Sequence, residues 1–329
     1  MILPALAAAV LWAQPVPERE AAAPQPVILA AVGDIRLDGP IGALIEKDPD
    51  LPWKGVAEAL KADILFGNLE CSVTKRGKKL AKTWNFRAPP GRLLSLKRAR
   101  FDVLNLANNH VWDYGEEGFR DTLAALHSRR FAFVGGGKNL EEALAPRILK
   151  RGGLKIGFLG LTSTFPQEAW ASRRKPGVAY SDFGRFPAAI RRAKEKCDLL
   201  VVSFHGGTEL AEGPNEIQKS FGRLAVDAGA DLVLGHHPHV LQGVELYKGK
   251  PIVHSLGNFM FVSPSPGTRA TVVARVRLSA AGVDSIEFVP VDIGAGILSP
   301  AGPAMREEIV AALDRFGLLT AQPERFRVR

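Results

Sequence analysis

Asp231-Leu232-Val233-Leu234 running into Gly235-His236-His237-Pro238-His239 is the stretch that decides how this chain is read. A short apolar run closed by turn-forming residues reads as a strand buried on both faces. Here the run opens directly onto three of the chain's seven histidines. The same design recurs upstream. Val27-Ile28-Leu29-Ala30-Ala31-Val32 ends in Gly33-Asp34, and Asp63-Ile64-Leu65-Phe66 ends in Gly67-Asn68-Leu69-Glu70. Phe101 to Leu106 runs into Ala107-Asn108-Asn109-His110, and Leu199 to Phe204 into His205-Gly206-Gly207. Helical patterns lie between them, at about 54–62, 91–98, 115–129, 185–196 and 215–229. Strand then helix, repeated, predicts an α/β fold with largely buried sheets.

The carboxyl third follows another rhythm. Thr271 to Leu278 and Asp284 to Val291 alternate more strictly, and Ser279-Ala280-Ala281-Gly282-Val283 between them predicts an antiparallel hairpin. One large domain over residues 27–300 is expected, then a closing helix at Ala304–Phe316 and a polar tail, Thr320–Arg329.

Ligands of open α/β sheets sit outside the carboxyl ends of strands, so these tips predict one shared crevice. Its inventory is Asp34, Asn68, Glu70, Asn109, His110, His205, His237 and His239. Carboxylate, amide oxygen and imidazole together suit Mn, Fe or Zn better than Ca, and one or two divalent ions are expected. His127, in a helical stretch, and His254 read as structural.

The chain has 329 residues, 46% hydrophobic and 23% charged, which excludes a disordered, collagen-like or coiled-coil protein. Lys and Arg number 43 against 34 acidic residues, for a net charge of +9. The excess is local. Between Glu70 and Asp102 stand ten basic residues and no acidic one, so the remainder is close to neutral. A basic segment following a candidate ligand suits an anionic substrate or polymer. No base-reading module is visible, so nucleic acid is not an expected partner. Trp84-Asn85-Phe86-Arg87 interrupts the segment with aromatics, which predicts that part of it packs near the site. Cys71 and Cys197 are too few for a disulfide framework and read as buried free thiols.

Ile2 to Ala13 is almost purely apolar, too short for a mature membrane span but the length of a signal-peptide core. Residues 1–13 are therefore expected to direct export to the periplasm or cell surface, or to tether the chain if uncleaved. Residues 14–26 read as a Pro/Ala-rich linker.

Taken in order, these segments resemble the CapA family, named for poly-γ-glutamate capsule synthesis, within the calcineurin-like metallophosphatase superfamily. The matching segments are Gly33-Asp34, Gly67-Asn68-Leu69-Glu70, Asn108-Asn109-His110 with Asp113-Tyr114-Gly115, Phe204-His205-Gly206-Gly207, Gly235-His236-His237-Pro238-His239 and Ser255-Leu256-Gly257-Asn258-Phe259. The resemblance implies a sandwich of two mixed β-sheets flanked by helices, with a metal site at the strand tips. It implies Asp34 as the first carboxylate ligand, Asn109 as an amide ligand and His110 as a transition-state donor. His205, His237 and His239 become imidazole ligands; Asp113 is expected to orient His110 or a neighbouring ligand, since such imidazoles need a supporting carboxylate. Two departures stand out. Arg36 occupies a position where the superfamily carries histidine, and Asn68 with Glu70 replaces a bridging aspartate. Either one metal then binds tightly and a second weakly, or Arg36 clamps a phosphate instead, with Glu70 able to supply a bridging carboxylate. The implied activity is metal-dependent hydrolysis of a phosphoester-type bond. A non-catalytic accessory role, binding an anionic polymer or its membrane synthase, is the competing expectation.

Overall fold

The computed structural model describes residues 24–322 and 325–328. The expected signal peptide and most of the linker lie outside the described residues.

Two mixed sheets face one another. The first takes its parallel strands from the amino-terminal half, in the spatial order Val27–Ile35, Ile64–Leu69, Val103–Asn105, Ala132–Val134. Its antiparallel extension is the expected hairpin, Ala270–Ser279 and Gly282–Asp292, joined along Val27–Ile35. Asn258–Met260 adds a short parallel strand at the far end of Val27–Ile35. The second sheet runs Leu241–Tyr247, Lys250–Leu256, Leu232–His236, Leu199–His205, Leu154–Thr162, Arg147–Arg151, with the outer pairs antiparallel.

Burial on both faces hides the strand period in the sequence, but the packing separates it. Val27, Leu29, Ala31, Ile64, Phe66 and Val103 face Phe158, Val201, Leu232, Leu234 and Val253 in one core between the sheets. The alternate residues, Ala30, Val32, Leu65, Leu69 and Leu104, turn outward under helices Gly39–Lys47, Leu93–Arg98 and Gly115–Ser128. On the other side Leu200, Val202, Phe204 and Val233 lie under helices Phe186–Lys194 and Glu216–Asp227. The result is a helix–sheet–sheet–helix sandwich. Helix Glu216–Asp227 starts with a reciprocal cap: Asn215 Oδ1 accepts from Gln218 N at 3.0 Å and Gln218 Oε1 from Asn215 N at 3.0 Å. Phe66 and Phe158 stack across the sheet interface with centroids 5.8 Å apart. Each such buried ring contributes roughly 1.5–3 kcal/mol through apolar burial.

Some expectations change. The helix expected at 54–62 is a 3₁₀ turn, Leu51–Trp53, followed by one short turn, Ala57–Leu60. The carboxyl tail is not a free polar end: Leu319–Gln322 and Arg325–Val328 form a hairpin that joins the edge of the first sheet. An open sheet edge offers unpaired N–H and C=O groups, and a polar segment can take them as readily as an apolar one. Cys71 is a buried free thiol, but Cys197 is only half-buried. Among the described residues no helix is long and apolar enough to cross a membrane.

Candidate metal centre

Period-two alternation selects the floor of the site. On Ile64–Leu69 the inward positions 64 and 66 continue to Asn68, and on Val103–Asn105 the inward Val103 continues to Asn105. In the second sheet Leu199 and Val201 lead to His205, and Leu232 and Leu234 lead to His236. Val27–Ile35 is the exception. Its inward set is 27, 29 and 31, which by strict alternation would place Gly33 inward and Asp34 outward. The pairing register shifts between Ala31 and Asp34, after which Ile35 joins the outer core and Asp34 lies with the inner residues. Gly33 is required at this irregularity, because any Cβ there would overlap the Gly257 carbonyl oxygen. Asp34, Asn68 and Asn105 thus stand side by side on paired strands, opposite His205 paired with His236.

The loops beyond these strands complete the group. Glu70 follows Asn68, and His237-Pro238-His239 follows His236. His237 and His239 hold left-handed backbones, φ 98° and 61°, flanking the proline. Such conformations cost about 1–3 kcal/mol in non-glycine residues and cluster where function demands them. Carboxylate and imidazole ligand atoms of Asp34, Glu70 and His205 lie within 4.8 Å of one another, as do those of Glu70, His237 and His239. Glu70 belongs to both sets. Asn109 Oδ1 lies 2.8 Å from His205 Nε2, which is also 3.4 Å from Glu70 Oε1.

Glu70 tests whether a cation fits. It is fully buried, and neither carboxylate oxygen accepts a hydrogen bond. A buried carboxylate in that condition costs several kcal/mol unless a positive charge compensates it. Burial and the neighbouring Asp34 hold its pKa well above the usual carboxylate range. Burial pushes His237 down to about 3, which leaves the ring neutral with a lone pair to give, and its Nδ1 has no hydrogen bond. Burial also keeps His205 well below the ordinary histidine value. Burial works against protonating His239 too, but Glu70 and Asp34 outweigh it and push it up to about 9. In Asp34 burial is outweighed by His236 and His239, which hold it well below the usual range. Carboxylates, the neutral imidazoles of His205 and His237, and His239 gathered around an unbonded carboxylate are a set of groups that can hold a divalent cation.

Asn68 is placed differently from the expected ligand. Asn105 Nδ2 and Asn108 Nδ2 both donate to its Oδ1, at 2.9 and 3.1 Å. Both donors are set by their own oxygens, which accept backbone N–H groups from Ala107, His110 and Val111. Asn68 therefore turns its Nδ2 inward, 2.8 Å from Asp34 Oδ1 and 3.1 Å from His205 Nδ1. An amide nitrogen is a donor, so in this orientation Asn68 presents the cluster with a hydrogen-bond donor and not with the ligand oxygen expected of it.

His110 lies at the rim. Its Nδ1 is 2.7 Å from Asp113 Oδ2, which also accepts from Phe86 N at 2.6 Å. Asp113 Oδ1 pairs with Lys82 Nζ at 2.5 Å, and Lys82 also donates to the Asn109 carbonyl at 2.8 Å. Burial lowers the His110 pKa against the pull of Asp113. Arg36 departs from the phosphate-clamp expectation. Its guanidinium pairs with Asp38 at 2.6 Å and lies 3.8 Å over Phe86 and 4.9 Å over Phe261. His110 stacks on the same Phe86 at 4.1 Å, which only the opposite ring face allows. One aromatic layer thus separates Arg36 from His110, and its charge is already engaged by Asp38. Phe86 is buried, whereas Trp84 is 66% exposed. His127 packs on Phe133, and His254 is buried against Glu245 at 3.0 Å.

Sequence reasoning overlooked Asn105, Asn108, Asn258, Lys82 and His236. Asn258 Oδ1 lies 2.8 Å from His239 Nδ1. The last positions of inward strand sets carried a usable signal for Asn105 and His236; nothing local marks Lys82.

The family described as Bacterial capsule synthesis protein PGA_cap matches residues 28–263. The chain is 32% identical over 321 residues to the Bacillus anthracis capsule biosynthesis protein CapA, covering 93% of this chain and 78% of that one. It is 36% identical over 267 residues to the PGA biosynthesis protein CapA of Bacillus subtilis strain 168, covering 80% and 70%. Among solved structures, a 5'-nucleotidase precursor from Thermus thermophilus aligns with a TM-score of 0.48 at 18% identity, over 88% of this chain and 58% of that one. By its profile match and by its relatives, this chain belongs to the bacterial capsule synthesis protein family PGA_cap.

Proposed function

We propose that the strand-tip cluster is a metal-dependent hydrolytic centre acting on a phosphoester-type bond of an anionic substrate. Asp34, Glu70, Asn109, His205, His237 and His239 would hold one or two divalent ions of the Mn, Fe or Zn type. The observation that carries this reading is Glu70, buried with both oxygens unbonded and shared by two ligand sets. A bound divalent ion supplies charge that polarises the scissile group. The chain's own residues do the rest. Asp113 fixes the His110 ring through Nδ1 and leaves Nε2 to meet the leaving oxygen, while Phe86 closes one face of the ring. Lys82 neutralises Asp113, so that this carboxylate does not repel an approaching anion.

Metal content of the purified protein and of a His237→Ala variant tests the reading, together with chelator-sensitive hydrolysis of an aryl phosphate. One or two ions per wild-type chain are expected, with a drop of more than about 100-fold in affinity for the variant, beyond the loss of an outer partner. A metal-free wild type with no hydrolysis overturns it.

One observation favours a second reading, a non-catalytic accessory protein. Lys75, Lys78 and Lys79 are exposed and have no side-chain partner among the described residues. They share a loop with Lys82, and a polycarboxylate such as polyglutamate would neutralise them. Salt-sensitive polyglutamate binding by metal-stripped protein supports this reading, and its absence removes it. A membrane polymer synthase as partner belongs to this second reading and rests on the family's place in capsule synthesis. Export is proposed under either reading and rests on the apolar stretch Ile2 to Ala13.

A further inference from the structure

His236 is the buried titratable group that neither reading uses. It is fully buried, and neither ring nitrogen makes a hydrogen bond. An unpartnered buried polar group costs about 1–3 kcal/mol, so the position calls for an explanation. Its strand supplies one. Leu232 and Leu234 lie in the core between the sheets, and His236 is next in that inward set. Its ring centroid is 6.2 Å from that of Phe66, and its Nδ1 is 3.3 Å from Asp34 Oδ1 without hydrogen-bond alignment. Direct ligation is not what this arrangement offers. Neither ligand set among the described residues includes a His236 nitrogen, although Asp34 belongs to one of them.

Asp34 shows what is missing. Its Oδ1 takes Asn68 Nδ2 at 2.8 Å, and its Oδ2 takes the His237 backbone N–H at 3.3 Å. One further donor to Oδ1 from the core side would fix the carboxylate plane and leave its remaining lone pairs to a cation. We infer that His236 is a positioning residue for Asp34: its Nδ1–H locks the carboxylate from beneath when a divalent ion is bound. The inference rests on the metal-centre reading above. Outer partners that orient a ligand in this way typically change metal affinity by about 10–100-fold.

Side-chain geometry makes the test specific. The terminal group of asparagine can place a donor where histidine has Nδ1, while glutamine reaches the Nε2 position. Zn²⁺ affinity by chelator competition, stoichiometry and the Co²⁺ visible spectrum are compared in wild type, His236→Asn, His236→Gln and His236→Phe, with melting temperature as the folding control. His236→Asn is expected within about threefold of wild type, and His236→Gln and His236→Phe about 10–100-fold weaker. Stoichiometry and the Co²⁺ band intensity should be unchanged in all three. Equal affinity in all variants overturns the positioning role, while lost stoichiometry or a changed Co²⁺ spectrum makes His236 a ligand and overturns it too. If His236→Phe fails to fold, the asparagine–glutamine pair decides alone, and equal affinities in that pair reject the inference. A wild type that binds no Zn²⁺ or Co²⁺ overturns the metal reading itself, a result distinct from every variant outcome.

Discussion

The two sheets contribute unlike chemistry to the same crevice. At the tips of the first sheet the polar groups mostly satisfy one another: Asn105 and Asn108 bind Asn68, Asn68 binds Asp34, and Asn108 Oδ1 takes two backbone N–H groups. At the tips of the second sheet the imidazoles keep nitrogens open, both in His236 and one in His237. A saturated network is rigid, because each amide is fixed by its neighbour's donors and acceptors. An unsaturated set holds lone pairs in reserve, which burial alone would penalise. The first sheet thus supplies a braced frame that carries Asp34, and the second supplies imidazoles with open nitrogens, with Glu70 between them as the carboxylate the frame leaves unbonded.

The largest expected effect tests whether chemistry and metal binding separate. His110→Asn removes the proton-carrying ring but touches no ligand, so hydrolysis should fall about 10²–10⁴-fold with metal content intact. Metal loss in that variant would erase the distinction between rim and ligand set. Next in size is the frame. Asn68→Ala removes one buried acceptor from each of the Asn105 and Asn108 amides, which keep only the Ala107 and Leu69 carbonyls, and thermal unfolding should show a loss of about 1–3 kcal/mol. A near-neutral result would mean the amide network is not the rigid side.

The donor side predicts a pH dependence. His239 titrates at about 9 without metal, so below that pH a cation must displace its proton. Metal affinity should therefore rise with pH up to about 9, by about tenfold per unit for one released proton, and then level off. A flat profile between pH 6 and 9, by competition titration at about the same ionic strength, would place His239 outside the ligand set. The smallest effect has the sharpest sign. Glu70→Gln should weaken metal binding and, by removing the largest charge that raises His239, lower the pH at which that ring loses its proton in the metal-free protein. An unmoved His239 titration, followed by NMR, would show that Glu70 does not hold that proton.

Much of this centre was legible before folding. Polar residues at the ends of buried apolar runs are a local signal, and they marked Asp34, Glu70, Asn109, His110, His205, His237 and His239. Arg36 was misjudged because a guanidinium near a motif reads as an anion clamp, whereas its stacking on Phe86 and pairing with Asp38 are packing facts. Asn68 was misjudged for a related reason: which end of an amide faces a site is set by the donors behind it, here Asn105 and Asn108.

The sequence alone determined the kinds of polar side chain present and their placement at or just beyond strand ends, because burial and turn formation act over a few neighbouring residues. Only the tertiary structure decided which of them meet. Asn68 reaches His205 across 137 residues of chain, and Asp34 meets the His237 backbone across 203. Those distances depend on register, and the register shift that turns Asp34 inward is relieved by close contact between Gly33 and Gly257, far along the chain. No local pattern carries that information, because a strand buried on both faces shows the same apolar run whichever way its last residue points.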